Sequence, residues 1–355
     1  MDVRDKPTRV RQGEELDLQI VESFLKDHIP GLTGKLVVEQ FPSGYSNLTY
    51  LIKIGEKDIV LRRPPFGRKA KSAHDMGREY RILSALHPVF PYCPRPLIFS
   101  EDESVMGCPF FVMERINGII LRKDLPQGLV LSPSQMRALC ERLVDVHYEL
   151  HSVDYAAVGL EGFGKPEGYV KRQVEGWSDR YRGAWTPDSP TFEEVMTWLH
   201  GNMPPDCKRP SIVHNDFKFD NVVLNSDDPL KIIGVLDWEM ATIGDPLMDL
   251  GNSLAYWVQA DDPEEVQAMR MLATNLPGAL TRDELIRRYA DNAGISIDSF
   301  DFYYCFGLFR LAVIAQQIYY RFYHGQTKDQ RFKMLVFAVH ILEKSAREIL
   351  EKPSL

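Results

Sequence analysis

The chain has 355 residues, 44% apolar and 26% charged. That is enough for two domains, or two lobes of one, and for a core that needs no disulfide or metal staple. A formal net charge of −8 argues against a general nucleic-acid or anionic-membrane binder, because both partners require a basic surface. The five cysteines, Cys93, Cys108, Cys140, Cys207 and Cys305, form no CxxC pair, so zinc spacing is absent and a reduced, cytoplasmic setting is expected.

The first residues, MDVRDKPTRVRQGEELD, are charged and lack the apolar core of a signal peptide. Residues 1–15 read as a mobile tail. Leu16, Ile20, Val21, Phe24 and Leu25 then recur at helical spacing over 16–29, stopped by Pro30 and Gly31. The period changes to two in Leu36–Phe41, Asn47–Ile54 and Ile59–Arg62, three short strands of a β-meander. Their connections are Pro42-Ser43-Gly44-Tyr45-Ser46 and Gly55-Glu56-Lys57-Asp58. A helical pattern follows over Ala70–Leu86. A further strand, Pro109–Glu114, ends in Arg115-Ile116-Asn117-Gly118, a turn and hinge.

Beyond it the pattern is helical over 133–151, 167–180, 190–202, 262–273, 282–292, 299–323 and 327–350, with loop and strand over 211–237. The most apolar stretch, Tyr303–Phe322, contains Arg310, Gln316, Gln317 and Arg321, too polar for a membrane span. The expected fold class is therefore α+β. A small N-terminal antiparallel sheet with a helix occupies residues 1–115, and a large, mostly helical lobe occupies 116–355.

The densest chemistry lies in residues 211–251. Val222–Leu224 and Ile232–Leu236 read as strands around Ser226-Asp227-Asp228-Pro229, a strong turn sequence. A turn centred near residue 229 places Asn221 opposite Asp237 at the open end of the hairpin, with Asp216 on the loop just before it. One amide and one carboxylate oxygen suit a hard cation such as Mg²⁺, with phosphate supplying further oxygens. A second carboxylate nearby can orient a hydroxyl and accept its proton. Any one of these residues alone reads equally well as a turn residue; the joint spacing favours chemistry.

His214-Asn215-Asp216-Phe217-Lys218-Phe219-Asp220-Asn221 resembles the catalytic loop of the aminoglycoside phosphotransferase and choline kinase family. Leu236-Asp237-Trp238-Glu239, followed by Gly244-Asp245-Pro246 and Asp249-Leu250, resembles that family's second signature. Gly162-Phe163-Gly164, with Gly168-Tyr169, Arg172-Gln173 and Trp177, is similar to a narrower branch, the kinase-like domain found beside or fused to acyl-CoA dehydrogenases.

The resemblance implies a protein-kinase-like two-lobed fold that uses ATP and Mg²⁺. It implies that Asp216 is the catalytic base and that Asn221 and Asp237 hold the metal. Lys218 follows the base by two residues, as does the lysine that touches the γ-phosphate in protein kinases, though most antibiotic kinases of the family lack it; a solvated loop lysine is the alternative. His214 and Asp249 would support the loop. Gly44 and Ser46 would lie in the loop covering the phosphates, whose backbone N–H groups can face phosphate oxygens. Arg62 stands where most kinases carry lysine, as is typical of that branch. Glu79 shares a helix face with Ile82, Leu83 and Leu86 and needs a partner such as Arg62. Matching Asn117-Gly118 to the family's turn assigns the adenine contacts to the backbone of Glu114 and Ile116.

The acceptor implied is a small-molecule hydroxyl. A hydroxyacyl-CoA ranks first, an aminoglycoside second, and choline or another amino alcohol third, with an acyl-CoA dehydrogenase as an implied partner. Tyr155, Tyr169, Trp177, Tyr181, Trp257, Tyr319 and Tyr320 could line the acceptor pocket, although aromatics at helical spacing are more often core. A non-catalytic nucleotide-binding module is the rival of another class; retention of Asp216, Asn221, Asp237 and Glu79 argues against it. A protein kinase is disfavoured because no Ala-Pro-Glu element follows Asp237.

Overall fold

The computed structural model describes residues 4–41, 47–65 and 75–351. Helix α1 (Leu18–His28) begins where the Asp17 side chain accepts from the N–H groups of Gln19 and Ile20, the usual N-cap arrangement. Strands β1 (Leu36–Gln40), β2 (Leu48–Ile54) and β3 (Lys57–Arg63) follow, then α2 (Met76–Leu86), β4 (Pro96–Ser100), a short α3 (Glu103–Met106) and β5 (Phe110–Glu114). The five strands form one antiparallel sheet in the order β1-β2-β3-β5-β4. β4 was not legible in the sequence; it is a half-buried edge strand with no alternation.

The supposed N-terminal tail is a correction. Between residues 5 and 14 the segment is tied down at Gly118, at Gln40 of β1 and at Tyr50 of β2. Thr8 N–H donates to the Gln40 carbonyl at 2.8 Å, Arg11 N–H to Gln40 Oε1 at 2.9 Å, and the Tyr50 hydroxyl to the Glu14 carbonyl at 2.7 Å. An unpaired strand edge offers such bonds to whatever chain lies beside it.

Next come α4 (Pro133–His151), α5 (Tyr169–Ala184), α6 (Glu193–Gly201), strand β6 (Ser211–Val213), the hairpin β7 (Val222–Leu224) and β8 (Ile232–Val235), and strand β9 (Thr242–Gly244), which pairs with β6. Helices α7 (Pro246–Ala255), α8 (Glu264–Met269), α9 (Arg282–Ala293), α10 (Asp301–Tyr323) and α11 (Leu335–Glu351) complete the described chain. Capping boxes start α4 (Ser132 with Gln135) and α9 (Thr281 with Glu284). The helix expected over 262–273 stops at Met269, since Thr274 instead bonds the backbone of Val258.

The chain packs as two compact units, Met1–Ile120 with Asn221–Ala241, and Leu121–Asp220 with Thr242–Leu355. The sequence reading drew one cut at 115/116. The hairpin instead groups with the N-terminal sheet, because Ile119 and Leu224 exchange backbone hydrogen bonds and Val235 N–H donates to the Tyr92 carbonyl. None of the described helices is long and apolar enough to cross a membrane.

In the second unit α10 is the central helix, packed on α5, α6, α7 and α11. Tyr169, Trp177 and Tyr181 belong to its core, with Phe192, Phe306 and Phe309, so these aromatics fill space between the helices. Where α7 crosses α10 the backbones touch. A Cβ on Gly251 would lie 2.2 Å from the Tyr303 carbonyl oxygen, and one on Gly307 would lie 2.1 Å from the Gly251 carbonyl oxygen. Gly251→Ala should therefore force the helices apart and cost about 1–3 kcal/mol, read as a lower urea midpoint. An unchanged midpoint would mean the helices part freely.

Candidate active site

The loop after β6 alternates charged and aromatic residues from Asp216 to Asp220. Phe217 and Phe219 are buried and anchor it from one side, leaving Asp216, Lys218 and Asp220 to associate. Lys218 Nζ lies 2.5 Å from Asp216 Oδ2 and 3.4 Å from Asp220 Oδ1, and 5.1 Å from the centre of the Tyr256 ring. Burial opposes the ammonium, but the two carboxylates outweigh it and hold its pKa above the ordinary lysine value.

Asn215, immediately before Asp216, adopts φ 63°, a left-handed conformation that asparagine tolerates better than most residues. Neighbours fix it there. Its side-chain oxygen accepts from the Tyr169 hydroxyl (3.3 Å) and Asn252 Nδ2 (3.1 Å), and its carbonyl accepts from Arg310 Nη2 (2.8 Å). Asp249 on α7 is fully buried and accepts from the backbone N–H of His214 at 2.6 Å and of Asn215 at 2.7 Å. His214 holds the next peptide, its Nδ1 accepting from Asp216 N–H at 3.2 Å.

Two histidines that the sequence reading did not single out complete this hub. His147 and His151, one turn apart on α4, each place Nε2 3.1 Å from Asp249 Oδ2. If both donate, His151 Nδ1 is the acceptor for the Tyr289 hydroxyl at 2.7 Å. His147 also stacks on Phe217, ring centres 4.1 Å apart. The set His147, His151 and Asp249 has the composition of a metal centre, but Asp249 already serves two backbone donors, so hydrogen bonds account for it. The signal available in the sequence was the i, i+4 histidine pair on a helix.

Burial, and next the charge of His151, depress His147 to a pKa of about 4, against the pull of Asp249. Asp249 itself sits well below the ordinary carboxylate value, because the histidine bonds overcome its burial. The unfolded chain therefore takes up a proton on His147 near pH 6.5 that the folded chain refuses until about pH 4. Stability should fall as pH drops through that window, approaching about 1.4 kcal/mol per pH unit for this one group, and Asp249 extends the loss below its ordinary value. Urea midpoints from pH 7 to 4.5 test this; a flat profile would contradict it.

In the N-terminal unit, Arg62 on β3 and Glu79 on α2 are both buried and form an ion pair through Nη1 and Oε1. Arg62 Nη2 also lies 3.0 Å from Asp237 Oδ1 and 3.7 Å from Glu239 Oε2. Glu239 in turn accepts from Asn47 Nδ2 at 2.7 Å. Burial raises the Glu79 carboxyl, and Asp237 and Glu239 add to this against the pull of Arg62. Three carboxylates, those of Glu79, Asp237 and Glu239, thus lie around the Arg62 guanidinium.

The hairpin register differs from expectation by one residue. Val222 pairs with Val235 and Val223 with Gly234, and Leu236 N–H donates to the Asn221 carbonyl at 2.8 Å. Asn221 thus faces Leu236, not Asp237. A register shift between Val223 and Leu224 moves the pairing, and Asp237 follows the strand at φ 66°, with its side chain 36% exposed. Glu114 ends β5, its N–H committed to the Arg95 carbonyl at 2.8 Å, and Ile116 packs over Gly234 of the hairpin. Gly44 and Ser46 lie outside the described residues.

Comparisons with known proteins identify the family. Residues 37–281 match the model of the phosphotransferase enzyme family. The chain belongs to that family. It is 36% identical over 319 residues to mouse acyl-CoA dehydrogenase family member 10, covering 88% of this chain but only 29% of that relative. Among solved structures it is similar to a Ralstonia eutropha protein provisionally assigned as an aminoglycoside phosphotransferase, with TM-score 0.81, 29% identity, and coverage of 96% of this chain and 100% of the other. A choline kinase from Cryptosporidium parvum, at TM-score 0.62 and 12% identity over 95% of this chain and 97% of its own, shares the fold. The kinase-like α+β fold class expected from the sequence is thus the observed one, with a small antiparallel sheet in one unit and helices dominating the other.

Proposed function

We propose that this family member transfers the γ-phosphoryl group of ATP, with Mg²⁺, to a hydroxyl of a small metabolite, with hydroxyacyl-CoA thioesters as the first acceptor class. The observation that carries the reading is the Arg62–Glu79–Asp237 cluster, which combines a buried, paired guanidinium with a partly exposed carboxylate. Asn221 and Asp237 would hold the cation, because their side-chain oxygens are the hard ligands that Mg²⁺ prefers. The bound ion supplies charge neutralisation for the phosphates. Arg62 supplies a permanent charge in a planar fork, and Glu79 keeps that fork oriented. Asp216 orients the acceptor hydroxyl and takes its proton, while Lys218 turns its ammonium to the transferring phosphate oxygens. Little covalent chemistry is asked of the chain; positioning and charge do most of the work.

The similarity to relatives named acyl-CoA dehydrogenase family members supports a thioester acceptor and a dehydrogenase partner. The 29% identity to the Ralstonia protein favours an amino-sugar acceptor as the second reading. ADP release from Mg·ATP, measured with hydroxyacyl-CoAs, aminoglycosides and amino alcohols in turn, separates them. Turnover with one set identifies the acceptor class. Tight Mg·ATP binding without turnover in all three would favour a nucleotide-binding module, and absence of ATP binding would end the kinase reading.

Asp237→Ala should weaken Mg²⁺-dependent nucleotide binding by more than the roughly 10–100-fold that loss of an outer-shell metal partner costs. Titration calorimetry with and without Mg²⁺ measures it. Unchanged binding would remove Asp237 from the metal site.

A further inference from the structure

Lys218 is the only cation between His214 and Asn221, and it is shared. Its ammonium contacts Asp216 at 2.5 Å and Asp220 at 3.4 Å, with the Tyr256 ring closing a third side at 5.1 Å. The Lys218 side chain is only 10% exposed. Asp220 Oδ1 is buried and takes no hydrogen bond besides its contact with that ammonium. Phe219–Asn221 forms a single 3-10 turn, which folds Asp220 back toward Lys218, and Arg122 adds a second positive charge to its surroundings.

The first carboxylate has a competing duty. In the kinase reading, on which this inference rests, Asp216 must offer an oxygen to the acceptor hydroxyl. An ammonium bonded to Asp216 alone would hold that oxygen. It would either block the acceptor or, when displaced, lose its place on the loop. Lysine has three donors and a flexible stem, so a second carboxylate within reach lets it shift without leaving.

We propose that Asp220 is a positioning residue: it is the second seat for the Lys218 ammonium, which releases Asp216 to the acceptor and keeps Lys218 directed at the transferring phosphate. The residue acts through Lys218 and touches neither the substrate nor the metal.

The test combines kinetics and chemistry on the whole 355-residue chain. With Mg·ATP and a hydroxyacyl-CoA, Asp220→Asn should lower kcat by about 10–100-fold, the usual cost of losing a group that positions another, while KM for ATP changes little. Asp220→Glu should recover most of that loss. In a Lys218→Ala background, Asp220→Asn should add almost nothing, because residues acting as one unit are non-additive. An additive loss, or a large rise in KM for ATP, would overturn the proposal and place Asp220 on the nucleotide or metal.

Competitive acetylation read by mass spectrometry gives a second arm. Lys218, measured against the exposed Lys171, should become several-fold more reactive in Asp220→Asn. Unchanged reactivity would show that Asp220 does not hold the ammonium, whatever the kinetics. Should the wild type release no ADP with any acceptor class, the kinase reading itself has failed and the catalytic half of this proposal falls with it. The acetylation result still decides whether the pair exists.

Discussion

Asp216→Asn should reduce turnover by about 10²–10⁴-fold, the range usually supplied by a positioned acid or base, while Mg·ATP binding stays close to wild type. The asymmetry follows from where the residue sits. Asp216 lies in the helical unit beside Lys218, whereas Arg62, Glu79 and Asp237 belong to the other unit. The substitution keeps size and shape but removes the negative charge that the proposed base role requires. Fold should be preserved, because the loop is held by Asp249, Tyr169, Asn252 and Arg310, none through the Asp216 carboxylate. Single-turnover ADP release and nucleotide titration on the same preparation give both numbers. Near-wild-type turnover would remove Asp216 as the base.

The second large effect is on stability. Asp249→Ala should cost about 3–5 kcal/mol, the range for removing one partner of a buried charged network. It strands two backbone N–H groups and two imidazoles in a dry interior, each carrying its own desolvation penalty. Asp249→Asn should recover little, since its amide NH₂ must face one of four donors. Chemical denaturation measures this. A loss below about 1 kcal/mol would mean the hub is rebuilt by water, against the burial that keeps such groups paired.

How much of this was legible in the sequence depended on the kind of signal. Period-two and period-3.6 patterns gave β1 to β3, α1, α4, α9 and α10, because each is long enough for its apolar residues to recur. β4 and the short helix α8 were lost or misjudged, because neither has a face long enough to repeat. The Arg62–Glu79 pair was readable because a carboxylate on an apolar helix face demands a cation. The hairpin register was readable only to within one residue: a turn's composition marks its place, but a bulge shifts the pairing without any residue-type signal. The hub around Asp249 was half visible. Asp249 and His214 stood in motifs, whereas His147, His151 and Tyr289 come from helices α4 and α9, far away in sequence, and only the fold brings them together.

The contact between Gly251 and Gly307 sits two residues along α7 from Asp249. Side chains flex about their rotatable bonds, but two touching main chains have no such slack. The height of Asp249, and through it the pitch of the His214-Asn215 peptides, is thereby referenced to the axis of α10 as a gauge block references a tool. Warming, pressure or drift in the surrounding apolar residues should leave that spacing nearly unchanged. Sequence variation can then accumulate on the outward faces of the helical unit while the loop keeps its calibration.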